Sequence, residues 1–104
     1  MTIIRAIGIS ALTSAMLVSG STFAANVIEG QRIYNQHCIG CHGPGGHSAI
    51  PNAPHFSRGE RLMQPDMMLL ATIKSGKIMM PSFAGILRDQ EILDVIAYLR
   101  TLQR

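Results

Sequence analysis

Residues 38–42 read Cys-Ile-Gly-Cys-His, and this segment constrains the fold more than any other part of the chain. Both cysteines of the chain lie in it. A disulfide across two intervening residues would close too small a loop to add much stability. Cys-x-x-Cys-His is the attachment signature of haem c, in which both thiols bond to the macrocycle and the histidine reaches the iron. The sequence therefore predicts one haem c, held covalently through thioethers from Cys38 and Cys41, with His42 as an iron ligand.

Two other uses of these residues are weighed against haem. A thioredoxin-like redox pair belongs to a βαβ unit, and no alternation of apolar and polar residues indicates a strand. A zinc site would need a further ligand, for which His47 and His55 are the candidates. Haem attachment is favoured because it accounts for all three residues of the motif.

The start of the chain is typical of an export signal. Arg5 precedes an apolar run over residues 6–18, and small or polar residues follow. Thr22 and Ala24 place small residues at the −3 and −1 positions of a cut after Ala24. A membrane anchor is the alternative, but the run is shorter than the roughly 20 apolar residues that span a bilayer.

We therefore expect residues 1–24 to be a cleaved signal peptide and residues 25–104 to be one folded domain in the periplasm. A domain of about 80 residues is close to the size at which a single core needs a staple, metal or cofactor. Without Arg5, eight basic and six acidic residues remain, so the formal net charge falls from +3 to +2. Two haem carboxylates would bring it near zero, which favours neither nucleic acid nor membrane as a partner.

Capping residues and apolar spacing predict three helices. Asn26 is a suitable N-cap for a first helix over residues 27–37, and Glu29 is placed to complete a capping box. A second helix over residues 66–75 follows Pro65, and the last begins near residue 89 and continues to the terminus. The last helix has an apolar stripe at helical spacing, formed by Ile92, Val95, Ile96, Leu99 and Leu102.

Three longer motifs carry a family resemblance. Residues 30–43 read Gly-x-x-x-Tyr-x-x-x-Cys-x-x-Cys-His-Gly, residues 76–83 read Gly-Lys-x-x-Met-Pro-x-Phe, and residues 91–99 read Glu-Ile-x-x-x-Ile-x-Tyr-Leu. With them the chain resembles the class I c-type cytochromes over its whole mature length. The resemblance implies an all-α class I cytochrome c fold, with three main helices around one covalent haem. It also implies that the first and last helices cross in contact, with Gly30 and Tyr98 at the matching positions.

The resemblance implies further site residues. The family's distal ligand is the methionine before proline, here Met80, and its soft thioether raises the redox potential. Met79 beside it is the alternative, as are the two loop histidines named above. A proline carbonyl twelve residues beyond His42, here Pro54, would accept the ring N–H of the proximal histidine, and Phe56 would pack on the haem. Four basic residues could neutralise haem carboxylates or form a docking face: Arg58, Arg61, Lys74 and Lys77.

Two axial ligands leave no open position for substrate, so the resemblance implies an electron carrier and not an enzyme. We expect a monomer that meets redox protein partners in transient contacts. Residues 54–66 read Pro-x-Phe-x-x-Gly-x-x-Leu-x-Gln-Pro-Asp, similar to the c55x cytochromes that accompany nitrite reduction. This gives a second hypothesis: an accessory cytochrome that supplies electrons to a nitrite reductase or helps its special haem mature. A haem sensor with a labile sixth ligand is the third.

Overall fold

The computed structural model describes residues 2–17 and 24–104. Residues 2–17 are exposed and have no helix or strand. Thr22 and the rest of residues 18–23 lie outside the described residues, so the signal peptide stays a prediction. Among the described residues, no helix has the length and apolar character needed to cross a bilayer.

Within residues 24–104 the regular structure is helical throughout, with no strand, which confirms the all-α prediction. The helices are α1 (Val27–His37), α2 (Ile39–His42), α3 (Asp66–Ser75) and α4 (Asp89–Thr101). Short 3₁₀ turns at Pro44–Gly46 and Phe56–Arg58 punctuate the long loop before α3. The bounds of α1 and α3 agree with the prediction, α4 ends three residues before the terminus, and α2 was not predicted.

The N-terminus of α1 is capped differently from the prediction. The Asn26 side chain accepts the Glu29 N–H at 3.1 Å, as an N-cap should. The Glu29 carboxylate, however, pairs with Arg32 and does not return to Asn26. The Asn26 N–H donates instead to Asp94 Oδ1 of α4 at 2.8 Å. The predicted capping box is therefore wrong, because a tertiary acceptor has taken the donor that the box would have satisfied.

α1 and α4 cross with their backbones in contact, as the resemblance implied. A Cβ atom placed on Gly30 would lie 1.9 Å from the Asp94 carbonyl oxygen, so only glycine fits there. One turn further along, the rings of Tyr34 and Tyr98 meet edge to face with centroids 5.3 Å apart. Gly30 thus faces Asp94, while Tyr98 meets Tyr34.

The core lies between this crossing and α3. Four residues of the predicted α4 stripe are buried, whereas Leu102 is only partly covered. Leu69 and Leu70 bring α3 against the same core. The buried apolar residues are Ile33, Tyr34, Phe56, Leu62, Leu69, Leu70, Phe83, Leu87, Ile92, Val95, Ile96 and Leu99.

We expect Gly30→Ala to lower the free energy of unfolding by about 2 kcal/mol, since overpacking outweighs the better helix propensity of alanine. Denaturant titration of the haem-loaded protein measures it. Gly40→Ala is the matched control, because a Cβ at that helical glycine meets no atom within 4 Å. Equal stability of the two variants would contradict the close backbone contact.

Candidate haem-binding site

The attachment motif occupies the junction of α1 and α2. Cys38 ends α1 and begins α2, and its carbonyl accepts the His42 N–H at 3.0 Å. This single helical turn presents Cys38, Cys41 and His42 to one cavity. Gly43 then takes a positive φ of 76°, and its carbonyl accepts the hydroxyl of buried Tyr34. The loop that follows is thereby tied back to α1.

A cavity of about 680 Å³ lies beside this turn. That volume is within the range of cofactor sites, and apolar side chains of α3, α4 and the loops supply much of its wall. The six residues predicted for the haem site all line it: Cys38, Cys41, His42, Pro54, Phe56 and Met80. The fold thus brings together residues that span more than forty positions of the sequence.

Burial favours the neutral form of the His42 imidazole. Its ring stacks on Phe56 with centroids 4.6 Å apart and 29° between the planes. Burial lowers the pKa of His42, and the Pro54 backbone, whose only polar group is a carbonyl, raises that pKa by a smaller amount. His42 Nδ1 is buried with no hydrogen-bond partner, so the Pro54 carbonyl has not formed a regular hydrogen bond with it. A neutral ring with one nitrogen near an acceptor suits a metal ligand, since coordination requires the deprotonated form.

The two thiols suit covalent attachment better than redox catalysis. Both cysteines are free, Cys41 exposed and Cys38 partly buried. Burial raises the pKa of Cys38 to about 11, so its thiol stays protonated at neutral pH. A thioredoxin-like nucleophile needs a lowered thiol pKa, so the geometry does not support that alternative.

The two methionines of the distal loop differ in environment. Met80 is half-buried and packs against the core, whereas Met79 is 80% exposed. The Met80 carbonyl accepts the Lys77 N–H at 2.9 Å, which closes a tight turn after Gly76. Both line the cavity, but only Met80 is partly withdrawn from solvent. This difference favours Met80 as distal ligand, in line with its position before proline.

The loop histidines are engaged away from the cavity. His55 Nδ1 accepts the Ser48 N–H at 3.0 Å, and His47 Nδ1 lies 3.3 Å from Ser57 Oγ. Neither lines the cavity. Across residues 2–17 and 24–104, no three His, Cys, Asp or Glu side chains are grouped to hold a metal ion. The zinc alternative therefore has no support in the geometry.

The four basic residues named from the sequence differ in whether they line the cavity. Arg61 and Lys77 line the cavity, whereas Arg58 does not. Lys74 pairs with Asp89 of α4 at 2.9 Å. Of the four, only Arg61 and Lys77 thus lie at the cavity, where haem carboxylates could be met.

Sequence reasoning missed several cavity residues. Asn52 is one of them, and its positive φ of 67° lies in a region that residues other than glycine seldom adopt. Arg61 was named from the sequence as a basic residue, but its positive φ of 65° was not predicted. His37 and Gln64 also line the cavity, and the His37 ring meets Phe83 edge to face at 5.9 Å. Only Asn52 carries a local signal, since asparagine tolerates the left-handed conformation; the others depend on how distant segments pack.

Comparison with known proteins bears directly on this cavity. A family model described as "Cytochrome C oxidase, cbb3-type, subunit III" matches residues 25–99. The chain is 34% identical to cytochrome c6 of Thermosynechococcus vestitus over 100 residues, which cover 90% of this chain and 88% of that relative. The chain belongs to the class I c-type cytochromes.

Solved structures agree with this assignment. Cytochrome c6 of the diatom Phaeodactylum tricornutum superposes with a TM-score of 0.63 at 29% identity, over 74% of this chain and 93% of that one. The KustC0563 c-type cytochrome gives a TM-score of 0.66 at 26% identity, over 72% and 98% of the two chains. The class I fold and the single covalent haem c are confirmed. The prediction of an electron carrier that is not an enzyme is confirmed on the same grounds.

Proposed function

We propose that this cytochrome carries single electrons between protein partners in the periplasm, and that His42 and Met80 would bind its haem iron. The observation that carries the proposal is the cavity, which brings the thiols and the imidazole of one helical turn together with Met80 from a distant loop. The haem, when bound, supplies the one-electron chemistry through its ferrous and ferric states.

The protein's own residues have three tasks in this proposal. Cys38 and Cys41 hold the macrocycle by thioether bonds. Phe56 stacks on His42 and limits the orientation of its ring, while the Pro54 carbonyl would accept the ring N–H. Met80 contributes a soft sulfur that favours the ferrous state and raises the potential.

Replacing Met80 tests the ligand assignment. We expect Met80→Ala to abolish the weak long-wavelength absorption band that an iron–methionine sulfur bond gives to the oxidised protein, and to lower the midpoint potential. Met79→Ala is the matched control and should keep both the absorption band and the midpoint potential of the wild type. Persistence of the band in Met80→Ala would assign the ligand elsewhere. Rapid, complete carbon monoxide binding by the reduced wild type would favour the haem sensor with a labile ligand.

The periplasmic location depends on the predicted signal peptide. Export supplies the compartment in which bacterial haem attachment takes place, and Ala24 ends a pattern typical of signal-peptide cleavage. We expect the haem-loaded protein recovered from a periplasmic extract to begin at Ala25, measured by intact mass and N-terminal sequencing. Ala24→Asp should block the cut, because signal peptidase needs a small residue there. A haem-loaded protein that retains residues 1–24 would contradict the prediction of a cleaved signal peptide.

A role beside a nitrite reductase is the second proposal, motivated by residues 54–66. Several residues of that motif also have structural tasks here: Phe56 stacks on His42, Leu62 is buried, and Asp66 pairs with Arg100. A general electron carrier with the same fold would need these residues too, so the motif by itself does not establish a role in nitrite reduction.

Deletion of the gene should distinguish the two roles. An accessory cytochrome predicts that the nitrite reductase loses its special haem, if the role is maturation, or its electron supply, if the role is donation. Visible spectra of the purified reductase and its activity with an artificial donor separate these outcomes. A reductase with full haem and full activity in cells would leave the general carrier as the function.

A further inference from the structure

The guanidinium of Arg100, in the last turn of α4, bonds to a segment more than thirty residues away in sequence. Its Nη1 donates to the Leu62 carbonyl at 2.6 Å and its Nη2 to the Gln64 carbonyl at 2.7 Å. Nε and Nη2 also reach Asp66 Oδ1 at 3.0 and 2.7 Å. One rigid fork therefore satisfies two carbonyls of the irregular segment before α3 and the carboxylate of Asp66, the first residue of α3.

The held segment is a wall of the haem cavity. Arg61 and Gln64 line the cavity, and the Gln64 side chain donates back to the Arg61 carbonyl at 2.7 Å. Leu62 between them is 2% exposed, which anchors the segment in the core. These contacts surround the Arg61 backbone, whose φ is 65°. A non-glycine residue in that region persists only where its surroundings enforce it.

Arg61 forms no ion pair within residues 24–104, in contrast to Arg32, Lys74, Arg88 and Arg100. Arg61 is exposed to solvent and lines the cavity, so no ion-pair partner offsets its charge there. A positive charge there disfavours the ferric state, which carries one more positive charge than the ferrous state, and so raises the midpoint potential.

We propose that Arg100 is a positioning residue that raises the midpoint potential of this cytochrome by keeping Arg61 at the haem cavity. The inference rests on the proposed haem function. Arg100 acts through two backbone carbonyls, and when those bonds are lost the Arg61 backbone can relax out of its left-handed conformation. The Arg61 side chain then moves away from the cavity wall.

The test is a double-mutant cycle on the midpoint potential of the haem-loaded protein, with Arg61→Gln, Arg100→Gln and the combination. We expect each single change to favour the ferric state, shifting the ferric-to-ferrous equilibrium by about two- to fivefold for Arg61→Gln, since Arg61 is exposed and solvent screens its charge. Arg100→Gln should change the potential much less in the Arg61→Gln background, because the charge that Arg100 positions has already been removed. A direct effect of the lost Arg100 charge would instead persist in that background and would overturn the proposal.

Arg100→Lys separates geometry from charge and guards against a poorly folded glutamine variant. Lysine keeps the charge but cannot reach all three acceptors with one planar fork, so we expect its potential to fall as well. A wild-type potential in Arg100→Lys would overturn the positioning role. Arg32→Gln is the matched control: Arg32 belongs to an exposed ion pair on α1, and its loss should leave the potential near that of the wild type.

Spectra and stability distinguish the remaining outcomes. If Arg100 is merely structural, its replacement will lower the free energy of unfolding and leave the potential of the folded fraction unchanged. That result would overturn the positioning role of Arg100 but not the proposed haem function. A wild-type protein without covalent haem, or without methionine ligation in its visible spectrum, would overturn the proposed ligand set on which the inference rests.

Discussion

The backbones of α1 and α4 touch at Gly30, and the walls of the haem cavity are placed relative to that contact. The missing side chain lets the Asp94 carbonyl approach so closely that any Cβ would overlap it. The Asn26 N–H then bonds to the Asp94 carboxylate, and the Tyr34 and Tyr98 rings meet one turn further along. Because Cys38 ends α1, fixing the angle of this helix also fixes the direction in which the attachment turn faces.

The cavity explains why so small a domain needs its cofactor. A single core of about 80 residues is marginal without a staple, metal or cofactor. Several residues of the apolar core, among them Leu69, Ile92 and Leu99, line the cavity of about 680 Å³. A covalently held macrocycle would therefore act as a packing element as well as a redox centre, since its apolar faces can pack against these side chains.

Much of the secondary structure could be predicted because its signals are local. The N-cap at Asn26, the Pro65 that precedes α3 and the apolar stripe of α4 each act over a few residues. The capping box failed for the opposite reason. Glu29 has the right spacing, but a carboxylate on α4 reaches the same backbone N–H, and no pattern within α1 reveals that competitor.

The sequence by itself determined the chemistry. Two thiols and an adjacent histidine at fixed spacing specify covalent haem c, because this spacing is local to five residues and does not depend on how the rest of the chain folds. Only the tertiary structure gave different surroundings to side chains that are equivalent in the sequence. It withdrew Met80 from solvent and left Met79 exposed, and it paired Lys74 with Asp89 while placing Arg61 on the cavity wall. These choices depend on contacts between segments far apart in sequence, such as the bonds from Arg100 to Leu62 and Gln64, which no local pattern encodes.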